Sequence, residues 1–284
     1  MKIIKDKHCI IGEGPIWNEK EQVVYFTNGG GGNEICMLDV YTGAVVVRPL
    51  NFNVAAMTFD KTGRLIVSCK EGVFYLNEDG TTCALYDTDK YRISNANDMK
   101  AGPDGSIYVG TQSSRRLRIS DEVDGKLYRI DSDGTVEILL DGLLLSNGMA
   151  WSTDEKLFYH TDSDTKIIKE YFYDKEKGSI IATGREIFVK GVDGFTIDNH
   201  DQIWAACWGQ GHVAKIDCTS LEITDYLELP MKIPASCEFA GKELEKLVVV
   251  SASKGADMMQ DQYAGCAVIC DVDACGRLPY VFGK

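Results

Sequence analysis

The chain lacks any apolar run near the roughly 18 residues that a membrane-crossing helix requires. Its start, Met1-Lys2-Ile3-Ile4-Lys5-Asp6-Lys7, carries no apolar signal region. Basic surplus is missing too: 30 Lys and Arg face 43 Asp and Glu, for a net charge of −13. That balance argues against nucleic-acid and anionic-membrane partners. The four histidines form no His-x-x-x-His ligand pair. No Gly-x-Ser-x-Gly elbow, Walker loop or dinucleotide fingerprint occurs, which excludes three common routes to catalysis. The ten cysteines contain no Cys-x-x-Cys, so zinc-knuckle and thioredoxin chemistry find no support. Thiols without a paired pattern and a start without a leader point to a reducing, cytoplasmic home. No Pro/Gly/Ser-rich linker divides the chain, and no long capped helical period appears.

What is present is a repeat. Glu13, Ala55, Asn97, Asn147, Asp193 and Ser236 stand in similar local settings at intervals of roughly 42 to 50 residues. Each precedes a short apolar run, a turn such as Pro103-Asp104-Gly105, and a strand-like segment such as Gln202-Ile203-Trp204-Ala205-Ala206. Runs of this length, rich in Val, Ile, Tyr and Phe and bounded by Asp, Asn and Gly, are strands. Six such units predict an all-β fold, a six-bladed β-propeller in a single domain over 1–284; a β-sandwich with coincidental spacing is the alternative. The run Lys2-Ile3-Ile4-Lys5 has no partner in the first unit. It is expected to close the last blade, beside Leu278-Pro279-Tyr280-Val281-Phe282.

Equivalent positions in radially repeated units converge. Glu13, Asn147 and Asp193 then offer two carboxylates and one amide carbonyl, hard oxygen donors suited to one divalent cation. Ca²⁺ fits best, and Mg²⁺, Mn²⁺, Zn²⁺ or Fe²⁺ remain open. Taken singly, each of these residues reads as ordinary turn chemistry, since Asn-Gly and Asp-Gly are common turn pairs. Trp208, at the end of a strand-like run, either walls a ligand or caps a blade. His160 reads as packing more than as a channel residue, and His200 as a surface turn residue. Ser236-Cys237 borders the sixth repeat position, but no base for a nucleophilic Cys237 is evident.

Four stretches in order resemble the SMP-30/gluconolactonase/luciferin-regenerating-enzyme family of six-bladed propellers. They are Gly12-Glu13-Gly14-Pro15-Ile16-Trp17, Asn97-Asp98 with Gly102 to Thr111, Ser146-Asn147-Gly148-Met149-Ala150-Trp151-Ser152, and Val192-Asp193-Gly194-Phe195-Thr196-Ile197-Asp198 through Ala206. The resemblance implies a divalent cation on Glu13, Asn147 and Asp193. It implies Asn97 in contact with substrate or with a water on the metal. It also implies sugar-lactone hydrolysis, with Asp193 as candidate general base and a metal-activated water.

The chain departs from the family beside Asn97. The family's arginine two residues upstream is Asn95 here, and its glycine after Asn-Asp is Met99. The segment Ser113 to Ser120, with Arg115, Arg116 and Arg118, is also unlike the family's lid region. Asn95 and Met99 therefore join Asn97 and Trp208 as expected substrate-contacting residues, and gluconolactone is not the expected preference. The leading expectation is a metal-dependent lactonase acting on a small-molecule lactone. An organophosphate or aryl-ester hydrolase, and a non-catalytic metal-stabilised binding propeller, are the alternatives.

Overall fold

A computed structural model describes residues 1–283. Among the described residues the regular structure is entirely β, in six four-stranded antiparallel sheets. The fold class is the expected one, all-β and a six-bladed propeller. Blade 1 runs through Ile11–Asn18, Val23–Gly29, Glu34–Asp39 and Val45–Pro49. Blade 2 runs through Ala56–Phe59, Leu65–Cys69, Gly72–Leu76 and Thr82–Ala84. Blade 3 comprises Ala96–Ala101, Ile107–Thr111, Gly125–Ile130 and Val136–Leu143. Blade 4 comprises Ser146–Trp151, Leu157–Asp162, Ile167–Asp174 and Ser179–Phe188. Blade 5 is built from Val192–Ile197, Gln202–Cys207, His212–Asp217 and Glu222–Glu228. Blade 6 takes Pro234–Ala240, Lys246–Ser251 and Ala267–Asp271, with Lys2–Ile4 as its fourth strand.

The N-terminal strand thus closes the last blade, but against another partner than expected. Lys2, Ile3 and Ile4 pair with Ile269, Val268 and Ala267. The run 278–282 lies instead along blade 2, where Phe282 N donates to Phe59 O and Lys61 N donates to Phe282 O. Burial decides this. Val268 and Ile269 are core residues, whereas Leu278 and Val281 are exposed and Pro279 has no N–H to give a ladder.

The chain forms two compact units. Residues 1–53 with 187–279 carry blades 1, 5 and 6; residues 54–186 with 280–283 carry blades 2, 3 and 4. In the first unit Trp17 packs with Val24, Phe26, Val248 and Val250, and Trp204 meets Phe239 edge-on at 5.9 Å. In the second, Trp151 meets Tyr108 edge-on at 4.9 Å, and a separate cluster gathers Ala56, Ile66, Val73, Met99, Ile107 and Val109. First strands are buried along their length, as in Val192–Ile197, while fourth strands such as Glu222–Glu228 face solvent. That gradient matches continuous apolar runs in the one and polar runs in the other.

The turns follow side-chain chemistry. Asp60 Oδ1 accepts from Thr62 N and Arg64 N, and Asp198 Oδ1 accepts from His200 N and Gln202 N. Such loops close on their own aspartate and leave the strands in fixed register. The ten cysteines are free thiols, buried apart from Cys83 and Cys275. No helix of the described residues is long and apolar enough to cross a membrane.

Candidate functional site

The polar repeat positions coincide with β-bulges. Register between the first two strands slips between Glu13 and Ile16 in blade 1, and between Ala96 and Met99 in blade 3. It slips between Asn147 and Met149 in blade 4, and between Val192 and Phe195, across Asp193, in blade 5. In blade 2 the paired register runs from Ala56↔Ser68 to Phe59↔Leu65 and begins after the repeat residue Ala55, whose N–H also donates to Ser68 O. Blade 6 slips between Pro234 and Ser236. A bulge puts two residues opposite one and re-aims the side chain there. Four of the five slips lie at or directly after an oxygen-bearing residue of the expected site: two span Asn97 and Asp193, and two follow Glu13 and Asn147, which pair with Thr27 and Thr161. The glycine after Asp193 has its own cause: a Cβ on Gly194 would stand 2.2 Å from Ser236 Oγ, so only glycine lets blade 5 approach blade 6 there.

In the second unit, four side chains form one directed chain of hydrogen bonds. Gln112 Nε2 donates to Asn97 Oδ1 at 3.1 Å. Asn97 Nδ2 donates to Asn147 Oδ1 and to Ser146 O, each at 3.1 Å. Asn147 Nδ2 donates to Ser163 Oγ at 3.1 Å. Asn147 is 4% exposed, so its amide stays in place only where its polar atoms are satisfied. With its nitrogen held by Ser163, its oxygen is the end turned the other way, as a cation ligand requires. Gln112 and Ser163 were not among the expected site residues. Each lies one residue past the second strand of its blade, Ile107–Thr111 and Leu157–Asp162. Equivalent polar residues at that shared position are the signal that could have found them.

Asn95 is placed by its backbone. Its φ is +56°, a left-handed conformation that asparagine tolerates better than most residues. Its N–H donates to Lys70 O at 2.7 Å, and its carbonyl accepts from Gln112 N at 3.0 Å. Met99 is 2% exposed and lies in the apolar cluster with Ile66, Val73 and Ile107, so its side chain packs the core there. Two arginines of the 113–120 loop are engaged: Arg115 donates to Asp121 O at 2.9 Å, and Arg116 pairs with Asp164 at 2.5 Å.

In the first unit Glu13 is half-buried and Asp193 is 7% exposed. Both sit on first strands at bulges. Burial, with the charge of Asp193 adding to it, pushes the neighbouring Cys207 thiol up to about 11. Trp208 is half-buried and its N–H donates to Gly191 O at 2.6 Å. Cys237 is buried and its thiol donates to Trp204 O at 3.0 Å. His200 is exposed in its turn.

Beneath Asn147, Ser146 Oγ lies 2.7 Å from His160 Nε2, and both residues are buried. Burial, with Lys169 across the strand pair, holds the His160 imidazole at about 3, so the ring is neutral in ordinary buffers. It stacks on Phe158 at 6.3 Å. His160 is therefore a packing residue. Among the described residues no three His, Cys, Asp or Glu side chains gather into a metal-holding group.

Fold and site together define a propeller whose polar residues lie on bulged first strands. The profile of the SMP-30/Gluconolactonase/LRE-like region matches residues 11–253, and the chain belongs to that family. It is 30% identical to Pentonolactonase XacC of Haloferax volcanii over 96% of this chain and 95% of that protein. It is 28% identical to Regucalcin of Gallus gallus, over 96% of this chain and 94% of that one. A calcium-binding regucalcin structure from Agrobacterium tumefaciens superposes with a TM-score of 0.87 at 21% identity, over 99% of this chain and 97% of that one. A luciferin-regenerating enzyme superposes with a TM-score of 0.85 at 24% identity, over 98% and 96%. Several relatives are named as lactonases.

Proposed function

We propose that the chain is a divalent-metal-dependent lactonase acting on a small sugar lactone, with Glu13, Asn147 and Asp193 as the protein ligands of one cation. The observation that supports this is the recurrence of register slips at or directly after Glu13, Asn147 and Asp193 on the first strands of their blades. The calcium-binding character of the regucalcin relative supports Ca²⁺ as the ion. Bound there, a divalent cation would polarise the lactone carbonyl and acidify a water.

The chain's own residues do the rest. Asp193 accepts the proton of the attacking water. A carboxylate that also holds a cation is a weak base, so its part in the rate is the smaller one. Asn97 has both hydrogens of its amide nitrogen directed at Ser146 O and Asn147 Oδ1. It can serve a substrate or a water only as an acceptor, through the second lone pair of Oδ1. No arginine stands at 95, and Arg115 and Arg116 are engaged elsewhere. The pocket is then less cationic than one built for gluconolactone, and the pentonolactonase name of the haloarchaeal relative fits a smaller ring substituent. A panel of pentono-, hexono- and deoxy-lactones, with and without chelator, tests the proposal. Chelator-sensitive hydrolysis of at least one sugar lactone is expected; hydrolysis of none, or hydrolysis indifferent to chelator, would sink it.

A further inference from the structure

We infer that Cys9 and Cys36 are a redox pair, which hydrogen peroxide closes into a disulfide that staples the segment joining blade 6 to blade 1. This goes beyond the lactonase reading and does not depend on it. The ground is the alternation of residues 7–9. Lys7 forms an ion pair with Glu34, on the third strand of blade 1. His8 faces the residues just before the third strand of blade 6: its Nδ1 lies 2.9 Å from Ala264 O and its Nε2 3.6 Å from Cys266 Sγ. Extended chain points alternate side chains to opposite sides, so Cys9 follows Lys7 toward blade 1. Glu34 and Cys36 likewise share one face of their strand. Next to the Lys7–Glu34 contact the two thiols meet: Cys9 and Cys36 hydrogen-bond to each other and belong to one buried cluster.

Both residues are held in place. Cys36 sits mid-strand, paired with Phe26 and Val47. Cys9 N donates to Gly265 O at 2.7 Å, and Cys9 O accepts from Ser253 Oγ at 2.8 Å. Ile10 N donates to Asn28 Oδ1, and Asn28 Nδ2 donates to Glu34 Oε2, each at 2.7 Å. Other buried thiols are turned elsewhere: Cys207 to Ala205 O, Cys237 to Trp204 O and Cys266 to His8.

The surroundings give the pair a direction. The hydrogen bond from Cys9, with the Lys7 ammonium nearby, holds the Cys36 thiol below its usual range; the same bond and burial hold Cys9 above its own. Cys36 is then the thiolate that attacks. Its sulfur takes one peroxide oxygen and becomes a sulfenic acid. The O–O bond breaks, and the hydroxide released leaves as water with the proton that Cys36 gave up. The Cys9 sulfur next attacks the Cys36 sulfur. The S–S bond forms, the S–O bond breaks, and the hydroxyl leaves as a second water with the Cys9 proton. Both thiols are buried, and the Lys7–Glu34 end of the cluster is the part open to solvent. Peroxide, close to water in size, enters there.

The test is peroxide titration of the native full-length protein, followed by denaturation, alkylation and peptide mapping. A linked peptide joining Cys9 to Cys36 is expected, and a dithiol reductant should reverse it. The exposed Cys83 is the internal gauge. Free Cys9 and Cys36 thiols once Cys83 is fully oxidised, or a link from either to another cysteine, would overturn the inference. The oxidised wild type should melt about 5 °C or more above the reduced protein, since the bond constrains the unfolded chain. An unchanged or lower melting point would show that nothing is stapled. Single variants check the direction. In Cys9→Ser, Cys36 should be trapped as the sulfenic acid; in Cys36→Ser, Cys9 should react at least about tenfold more slowly. Equal rates would overturn the order of attack. If a serine variant does not fold, the wild-type map and melt still decide the pair.

Discussion

Asn97 Nδ2 and Asn147 Oδ1 stand 3.1 Å apart and tie the first strand of blade 3 to that of blade 4. The same nitrogen donates to Ser146 O at 3.1 Å, so both of its hydrogens cross between blades. Asn97→Asp replaces this double donor by an acceptor facing two acceptors. Its expected cost is about 1 to 3 kcal/mol, that of leaving part-buried polar groups unpaired. Urea unfolding of the metal-free variant checks it, and an unchanged midpoint would show that the two bonds contribute nothing.

Asn95 separates backbone from side-chain demands. Its φ of +56° favours glycine and asparagine over other residues. Asn95→Gly should leave stability within about 0.5 kcal/mol of wild type, and Asn95→Arg should lower it by about 1 kcal/mol. The arginine should at the same time raise kcat/KM on gluconolactone by about tenfold, through a charge-assisted contact that asparagine cannot make. Thermal melts and the lactone panel read the two effects separately.

His160 makes stability fall with acid. Its folded value is about 3, against about 6.5 in an unfolded chain. The unfolded state therefore binds the extra proton first as pH drops. The contribution of the neutral, buried ring is complete above about 6.5 and is lost as pH falls toward 3, at a slope of about 1.4 kcal/mol per pH unit. His160→Leu should be less stable at neutral pH, having lost the Ser146 partner, yet should show a shallower acid slope between those limits. Parallel slopes for the two proteins would contradict the assignment.

Gly178 closes a turn at φ +65°, and a Cβ there would stand 1.9 Å from Arg129 Nε. That nitrogen is held by Asp104 Oδ2 at 2.8 Å, and Tyr108 donates to Gly178 O at 3.3 Å. Burial alone would lower the Arg129 value, but the Asp104 partnership outweighs it and holds the guanidinium charged. The arginine cannot yield without leaving the buried Asp104 carboxylate, held otherwise by Ser106 N–H and the Tyr108 hydroxyl, without its counter-charge. Gly178→Ala should cost about 3 kcal/mol or more, the scale of breaking a buried pair. A loss below about 1 kcal/mol would mean that the side chains relax freely around the new methyl.

Much of the fold is legible in the sequence because each blade repeats one pattern of apolar run, aspartate turn and strand. The turn logic is local: Asp60 and Asp198 close their loops on residues two and four positions on. The strand beside Lys2–Ile4 was not legible from pattern alone. Ala267–Asp271 and 278–282 both look strand-like, and only the burial of Val268 and Ile269 separates them. At the site, the recurrence of Glu13, Asn97, Asn147 and Asp193 could be read, but their bulges could not, because a bulge is a property of two strands in register. Gln112 and Ser163 escaped for the same reason. Their role exists only once neighbouring blades bring them to Asn97 and Asn147. Met99 shows the converse, a residue next to the site in sequence whose side chain points into the core.

The central claim is that Glu13, Asn147 and Asp193 hold one catalytic divalent cation. The most direct measurement is calcium titration of metal-free wild type and Asp193→Asn, with lactone hydrolysis followed on the same samples. The account predicts one site per wild-type chain, binding weakened by about a hundredfold or more in the variant, and hydrolysis that falls with it. Wild-type stoichiometry, affinity and turnover in Asp193→Asn would contradict it.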